Sequence, residues 1–396
     1  MTIAQPAVGA RFARLDALRG VAILLVLGRH QPVNWLWTKC GWAGVDLFFV
    51  LSGFLVAGLI FKEYLREGRV DLIRFWSRRA FRIYPPFLSM LAGSLVLCAI
   101  VNHKRYSAPD RIFAELTWTQ SYRHGIWGHT WSLAVEEHFY VLLPLLLGYA
   151  MWRNAGATNP FRSVPSAVCG LSVLFLLLRI LKSEAGSFDY LANVFPTHLR
   201  LDSLAFGVLL SYLYYFRNQS FMSFVRRRRR LLVAGGVLLF STTLIWPLES
   251  NVMHTIGFTF VYLGSGCLLA AALSDARPLS FAMRALAGIG GCSYSIYLWH
   301  MAVNQYTPTL IRVLGFGTSH PVAVAVSLGL SLPAGFVMHR LTELPAIRLR
   351  DYLLPNIQVP AHNPRLGEAF SAKTIGGICA MAPTGAPRRF TTATTA

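Results

Sequence analysis

The chain has 396 residues, of which 54% are hydrophobic and 14% are charged, and its mean hydropathy is +0.47. This composition excludes an ordinary soluble domain and indicates a polytopic membrane protein. The formal net charge is +20. Membrane proteins concentrate Lys and Arg in their cytoplasmic loops, so the charge is explained by topology and we expect no nucleic-acid partner.

Ten segments are long and apolar enough to cross a bilayer, since a transmembrane helix needs about 20 mainly apolar residues. In chain order they are residues 15–34, 42–61, 83–102, 132–151, 165–181, 198–216, 231–247, 254–273, 288–306 and 320–341. The sequence therefore predicts an all-α membrane protein with about ten transmembrane helices. Asp16 and Arg19 interrupt the start of the first segment, so we expect it to remain as a helix and not to be cleaved as a signal peptide.

The distribution of basic residues predicts the orientation. With the N-terminus inside, the N-terminal segment and the five inner loops contain 23 Lys and Arg residues, and the outer loops contain seven. This asymmetry follows the positive-inside rule and predicts that both termini are cytoplasmic. We expect one transmembrane domain over residues 1–350 and a disordered cytoplasmic tail over residues 351–396. The six cysteines are scattered, which indicates neither a zinc site nor a disulfide framework.

Five predicted helices carry ionisable side chains at a similar depth in the outer half of the membrane. These side chains are His30, Asp46, Glu136, the pair Arg200 and Asp202, and His300. Each costs about 2.5–3.5 kcal/mol on insertion scales, which favours a shared polar site over contact with lipid. An interfacial position for Asp46 or His300, or a local Arg200–Asp202 pair, remains an alternative.

Arg19 and His30 lie on one face of the first predicted helix. They are 11 residues apart, which places them about 20° apart around the helix and about 16.5 Å apart along it. The guanidinium could hold a phosphate at the cytoplasmic end while the imidazole meets the reactive end of a long molecule such as coenzyme A. The stretch "RFWSRRAFRIYPP" adds Arg74, Arg78, Arg79 and Arg82 on the inner side. A role in setting the orientation of the helices in the membrane would also explain these arginines.

Several motifs, in this order along the chain, resemble the integral-membrane acyltransferase family three. "LDALRGVAILLVLGRH" resembles its opening helix, with Arg19 and His30 at the matching positions. "RRAFRIYPP" resembles its Arg-x-x-Arg motif through Arg79 and Arg82, and "WSLAVEEHFYVLLPLL" its glutamate motif through Glu136. "GVDLFFVLSGFLVAGLI", "LRLDSLAFG", "YSIYLWH" and "TELP" match further signatures, so the resemblance spans about residues 12–350.

The resemblance implies a multi-pass protein of the cell inner (plasma) membrane that transfers an acyl group, most often acetyl, from cytoplasmic acyl-CoA. The acceptor would be a hydroxyl of an externally presented glycan or glycolipid, such as a polysaccharide or lipopolysaccharide. His30 would act as general base or acyl carrier and Glu136 as its orienting partner. The donor-binding residues would be Arg19, Arg78, Arg79 and Arg82, and the acceptor or supporting polar site would comprise Asp46, Arg200, Asp202 and His300.

Acyl-CoA is expected as a co-substrate, with no bound cofactor and no metal. Some members of the family carry an appended extracellular esterase-like domain, which we do not expect in this chain. The main alternative function is transport of a small polar solute or an acyl-modified product, because polar residues at membrane depth also suit proton relays and substrate pathways. Arg19 and His30 on one helical face favour the enzyme.

Overall fold

The computed structural model describes residues 8–31, 36–100, 108–184, 186–275, 277–313 and 320–355. All regular secondary structure in these ranges is helical, which confirms the all-α class. The chain up to Leu354 forms one compact unit. The predicted tail over residues 351–396 begins inside the last helix, which continues to Leu353. From residue 356 onward the tail lies outside the described residues and stays a prediction.

The α-helices in chain order are α1 (Val8–Arg29), α2 (Leu36–Cys40), α3 (Ala43–Glu67), α4 (Leu72–Ile100), α5 (Pro109–Leu116), α6 (Trp131–Arg153), α7 (Val164–Glu184), α8 (Tyr190–Asn193), α9 (Leu201–Phe216), α10 (Asn218–Ile245), α11 (Phe258–Ser274), α12 (Phe281–Gly291), α13 (Ser293–Val313), α14 (His320–Met338) and α15 (Leu344–Leu353). Short 3₁₀ turns cover Gly128–Thr130 and Thr197–Leu199. Single π-helical turns cover Met253–Gly257 and His339–Glu343, and such turns are frequent at functional sites.

Local sequence signals account for several helix boundaries. Pro109 occupies the first turn of α5, where its missing N–H costs no hydrogen bond. The side chain of Ser280 accepts from the backbone N–H of Met283 and caps the start of α12. Gly68 ends α3 in the left-handed conformation, with φ of 69°, and its N–H donates to the carbonyl of Tyr64.

Each of the ten predicted membrane segments overlaps a long helix of the structure. Six helical stretches among the described residues are long and apolar enough to cross a membrane, and they are Ala43–Glu67, Leu72–Ile100, Gly128–Arg153, Val164–Glu184, Met253–Ser274 and Pro321–Leu353. The other four predicted segments fall on α1, α9, α10 and α13. Of these, α9 has only 16 residues, and α10 contains the run Arg226 to Arg230. The multi-pass membrane class is therefore supported, and the number of spans stays a prediction.

Glycines allow the helices around the site to approach closely. A Cβ on Gly20 of α1 would collide with the carbonyl oxygen of Leu286 in α12, and a Cβ on Gly290 would collide with that of Asp16. Helices α3 and α9 cross in the same way at Gly53 and Gly207. A Cβ on either glycine would collide with a backbone carbonyl oxygen of the opposite helix. Small residues at such crossings let helix backbones pack directly, as membrane helices commonly do. This packing places α3 at the centre, against both α1 and α9.

Two buried ion pairs join α9 to its neighbours. Arg200, just before α9, donates to Asp46 of α3 at 2.7 Å. Arg179 of α7 donates to Asp202 of α9, also at 2.7 Å. All four side chains are buried. The alternative of a local Arg200–Asp202 pair is not formed, because each residue binds an opposite charge on a different helix.

We predict that Asp202→Asn destabilises the protein through Arg179, because a buried charge that loses its partner costs about 3–5 kcal/mol. Thermal unfolding of the purified protein in detergent measures the change. The exposed Asp110 provides a matched control, and Asp110→Asn should unfold at the wild-type temperature. An unchanged unfolding temperature for Asp202→Asn would contradict a stabilising role for the pair.

Candidate active site

A cavity of about 750 Å³ lies among α1, α3, α4, α6 and α13. Its wall combines basic, acidic and aromatic side chains. The charged members are Asp16, Arg19, Lys62, Arg79, Arg82, Glu136 and Glu137. We call this space the arginine cavity, because three of the four arginines predicted to bind the donor line it.

Each of the three cavity arginines is held by a neighbour. The guanidinium carbon of Arg79 lies 3.9 Å from the centre of the Tyr140 ring, in a cation–π contact. Arg19 Nη1 is 3.5 Å from a carboxylate oxygen of Asp16. Arg82 Nε is 4.0 Å from Glu343 Oε1. Four basic and three acidic side chains therefore face one space, and the guanidinium groups among them suit the phosphates of an anionic ligand.

Arg78 differs from the other predicted donor-binding arginines. Its guanidinium donates to the backbone carbonyl of Leu354 and, at 3.0 Å, to Asp351, and it does not line the arginine cavity. Helical periodicity does not explain the difference, since Arg78 is about 40° from Arg82 around α4 and Arg79 is about 60° from it; the contacts with Asp351 and Leu354 distinguish Arg78. Arg78 therefore contacts the end of α15.

Glu136 belongs to a hydrogen-bonded group in the wall of the arginine cavity. The Tyr140 hydroxyl donates to Glu136 Oε2 at 2.8 Å, and the Ser52 hydroxyl lies 2.5 Å from the same Tyr140 oxygen. Glu137 lines the same cavity and accepts from the Tyr84 hydroxyl at 3.4 Å. Both glutamates of the "VEEH" motif thus face one polar space. Placing either carboxylate inside the membrane without such partners would cost free energy.

A second cavity, of about 390 Å³, contains His30 and His129 in its lining. His300 is fully buried behind them, with its ring centre 5.0 Å from that of His30 and 4.8 Å from that of His129. We call this space the histidine cavity. Within the described ranges, no three His, Cys, Asp or Glu side chains are grouped so that they could hold a metal ion.

Hydrogen bonds define the proton positions on two of these rings. His300 Nδ1 is 2.6 Å from the backbone carbonyl oxygen of Tyr297, which can only accept, so Nδ1 carries the proton. In neutral His300, Nε2 is then the acceptor for His30 Nδ1 at 3.1 Å. His30 Nδ1 also lies 3.0 Å from the carbonyl of Val26. The network thus assigns the proton of His30 to Nδ1 and leaves its Nε2 as the basic nitrogen.

Val45 and Tyr297 line both cavities and therefore lie between them. The Tyr297 hydroxyl donates to the backbone carbonyl of His129 at 2.8 Å and lies 2.6 Å from the Ser132 hydroxyl. His30 lines the histidine cavity and Glu136 lines the arginine cavity. The hydrogen bonds of the described residues therefore pair His30 with His300 and not with Glu136.

Residues 12–340 match the sequence model of a protein family, and that family is described as an acyltransferase domain. The chain belongs to this acyltransferase family. O-acetyltransferase OatA of Staphylococcus aureus strain NCTC 8325 / PS 47 is 27% identical over 316 residues, which cover 74% of this chain and 51% of OatA. A candidate O-acetyltransferase of strain COL, SACOL0978, is 28% identical over 312 residues, covering 74% of this chain and 50% of that protein. The chain spans about half the length of these relatives. No solved structure matches it.

His129 was missed in the sequence because it lies outside the predicted membrane segments. It sits in the turn before α6, which Glu115 of α5 holds in place. Glu115 Oε1 accepts from the backbone N–H of Ile126 at 2.9 Å and from the Thr130 hydroxyl at 2.8 Å. Burial raises the pKa of the Glu115 carboxyl to about 7. A carboxylate 14 residues away thus fixes the turn that carries His129, and only the fold brings the two together.

Glu343 is a second residue whose role the sequence did not indicate, although "TELP" matched a family signature. It lies in the π-helical turn after α14 and accepts from the Ser295 hydroxyl and from His339 Nδ1, each at 2.8 Å. Its other oxygen faces Arg82. Glu343 therefore joins α13 and α14 to an arginine of the cavity.

The predicted acceptor or supporting residues take different places in the structure. Arg200 lines the histidine cavity, and Asp46 binds it from behind. His300 binds His30. Asp202 lines neither cavity and pairs with Arg179. Their roles in binding an acceptor stay predictions, and the geometry gives Asp202 a supporting position.

Proposed function

We propose that the protein is a membrane O-acyltransferase that moves an acyl group from cytoplasmic acyl-CoA to a hydroxyl of an externally presented glycan or glycolipid. The two O-acetyltransferase relatives favour acetyl as the acyl group. One observation carries this proposal. A cavity lined by three arginines and a cavity lined by two histidines share Val45 and Tyr297 in their walls. A charged donor and a hydroxyl acceptor could therefore occupy separate spaces and react where these spaces meet.

The arginine cavity is our proposed donor site. Arg19, Arg79 and Arg82 would hold the phosphates of coenzyme A through charge-assisted hydrogen bonds. The pantetheine arm would then extend along the apolar wall of α3 towards Val45 and Tyr297. Arg78 is omitted from this set because it contacts Asp351 and the carbonyl of Leu354.

The predicted orientation supports this direction of transfer. Under a topology of ten spans with both termini inside, Arg19 lies at the cytoplasmic start of the predicted segment 15–34. Arg79 and Arg82 lie just before the predicted segment 83–102, on the same side, where acyl-CoA is present. His30 then lies near the outer half of α1. We accordingly propose the inner (plasma) membrane as the location and a glycan of the cell envelope as the acceptor.

In the proposed reaction, the acceptor hydroxyl oxygen attacks the thioester carbonyl carbon, a C–O bond forms, and the C–S bond to coenzyme A breaks. The hydroxyl proton moves to His30 Nε2, which the tautomer leaves unprotonated, and then to the departing thiolate. His300 would hold the His30 ring in this orientation, as a second group does for the general base of other acyl-transfer enzymes. We assign Glu136 and Tyr140 to the donor side, near the acyl-bearing end of the arm.

Removal of the base tests the chemical step. His30→Gln should lower the rate of acetyl transfer by about 10²–10⁴-fold, since that is the usual contribution of a general base. His300→Gln should have a smaller effect, because an amide oxygen can still accept from His30 Nδ1. The rates are measured with labelled acetyl-CoA and the native envelope glycan in proteoliposomes. The exposed His124 provides the control variant His124→Gln. A near-normal rate for folded His30→Gln would contradict the mechanism.

The donor site is tested by two arginines of the same helix. Arg82→Gln should weaken acetyl-CoA binding by about 10–100-fold, because one hydrogen bond to a charged group is worth about 1.5–3 kcal/mol. Arg78→Gln removes a guanidinium four residues earlier that faces α15, and donor affinity should stay at the wild-type value. Equilibrium binding of labelled acetyl-CoA to the purified variants distinguishes them. Equal loss of affinity in both variants would show that the arginines act only through overall charge.

A further inference from the structure

The histidine cavity contains buried polar atoms that have no partner in the described part of the chain. They are Nε1 of Trp42 and Nε and Nη1 of Arg200. The exposed fractions of these two residues are 8% and 1%. An unsatisfied buried polar group costs about 1–3 kcal/mol, so several of them around one cavity indicate that a ligand satisfies them.

The open atoms of Trp42 and Arg200 can only donate hydrogen bonds. A neutral sugar hydroxyl would accept from them but would have to donate its own proton elsewhere. A carboxylate or phosphate oxygen accepts several hydrogen bonds and has no proton to place. The chemistry of these two side chains therefore favours an anionic oxygen group over a hydroxyl.

The charge of the cavity wall also favours an anionic group. Arg29 and Arg200 line the cavity, and no Asp or Glu does among the described residues. Asp46 neutralises Arg200 from behind. Arg29 donates to the backbone carbonyl of Thr38 and to the Tyr190 hydroxyl, at 3.3 and 3.0 Å. That hydroxyl donates in turn to the exposed Glu249 at 2.8 Å, so this carboxylate is linked to Arg29 through Tyr190 but does not line the cavity. The acidic partners of both arginines therefore lie outside the cavity lining.

Aromatic side chains complete the wall. The rings of Trp131 and Phe195 are stacked, with centres 4.8 Å apart, and both residues line the cavity with Trp42 and Tyr297. Apolar surfaces with a few convergent polar groups are typical of sites for small organic ligands. His129, whose neutral ring can both give and accept a hydrogen bond, is suited to a hydroxyl next to His30.

We propose that the acceptor carries an anionic oxygen group, a carboxylate or a phosphate, in addition to the hydroxyl that is acylated. Arg29, Arg200 and Trp42 bind the anionic group, and His30 and His129 face the hydroxyl. This inference rests on the proposed function, since it names the chemical class of the acceptor at the same site. It separates acidic glycans and phosphate-linked sugars from neutral glycans.

The test measures binding without turnover. Unfolding temperatures of the purified protein are recorded against increasing concentrations of three probes of equal length and linkage: a trimer of galactose, a trimer of galacturonic acid, and a trimer of galactose bearing one phosphate. Ligands that bind the folded state raise the unfolding temperature according to their dissociation constants. At least one anionic trimer should bind at least about tenfold more tightly than the neutral trimer, because charge-assisted hydrogen bonds are roughly twice as strong as neutral ones.

Variants connect this preference with the cavity. Arg29→Gln removes the charge and should abolish most of the preference. Trp42→Phe keeps the ring contact with Phe258, removes the N–H and should reduce it. Arg123→Gln, at an exposed residue on the same predicted side, should leave the preference intact.

The stronger of the two anionic probes identifies carboxylate or phosphate as the group recognised. Equal binding of neutral and anionic trimers, absence of binding by both anionic trimers, or an undiminished preference in both Arg29→Gln and Trp42→Phe would overturn the inference. None of these results depends on acetyl transfer. Failure of the proposed function would instead appear as wild-type transfer by His30→Gln.

Discussion

The buried ion pair between Asp46 and Arg200 is the interaction on which the site depends most. Neither charge is tolerated in an apolar interior without a partner, so α3 and the start of α9 are fixed against each other at 2.7 Å. Ser203 adds a hydrogen bond to the same carboxylate at 2.9 Å. The guanidinium also lies 3.7 Å from the centre of the Phe258 ring. The pair thereby connects three helices and fixes Arg200 in the wall of the histidine cavity.

Helical periodicity distributes the other polar residues between the two cavities. Arg79 and Arg82 share a face of α4, and Glu136 and Tyr140, four residues apart, share a face of α6, so these residues meet in the arginine cavity. Arg19 and His30 share a face of α1, yet about three turns of helix separate them. One helix therefore contributes to both cavities, with an arginine at one end and the histidine at the other.

Sequence was sufficient for features that depend on local pattern. The ten apolar segments all overlap helices. His30, Glu136 and three arginines could be selected from the sequence because ionisable residues stand out in or beside apolar segments, and these residues line the two cavities. Contacts between distant residues could not be inferred. His129 lies in a turn stabilised by Glu115, the partner of His30 is His300, 270 residues away, and the partner of Asp202 is on α7. Such pairings are set by helix packing, which apolar periodicity alone does not specify.

The central claim is that an acyl group passes from the arginine cavity to the histidine cavity beside Val45 and Tyr297. Val45→Phe adds bulk at this junction, whereas Val141→Phe adds the same bulk at a position that is 51% exposed on α6. The most direct measurement compares acetyl-CoA affinity and acetyl-transfer rate in these two variants. The account predicts near-normal donor affinity for Val45→Phe with transfer reduced by about 10²-fold, since a displacement of about 1 Å at a reacting centre costs that much. Wild-type transfer by folded Val45→Phe protein would contradict it.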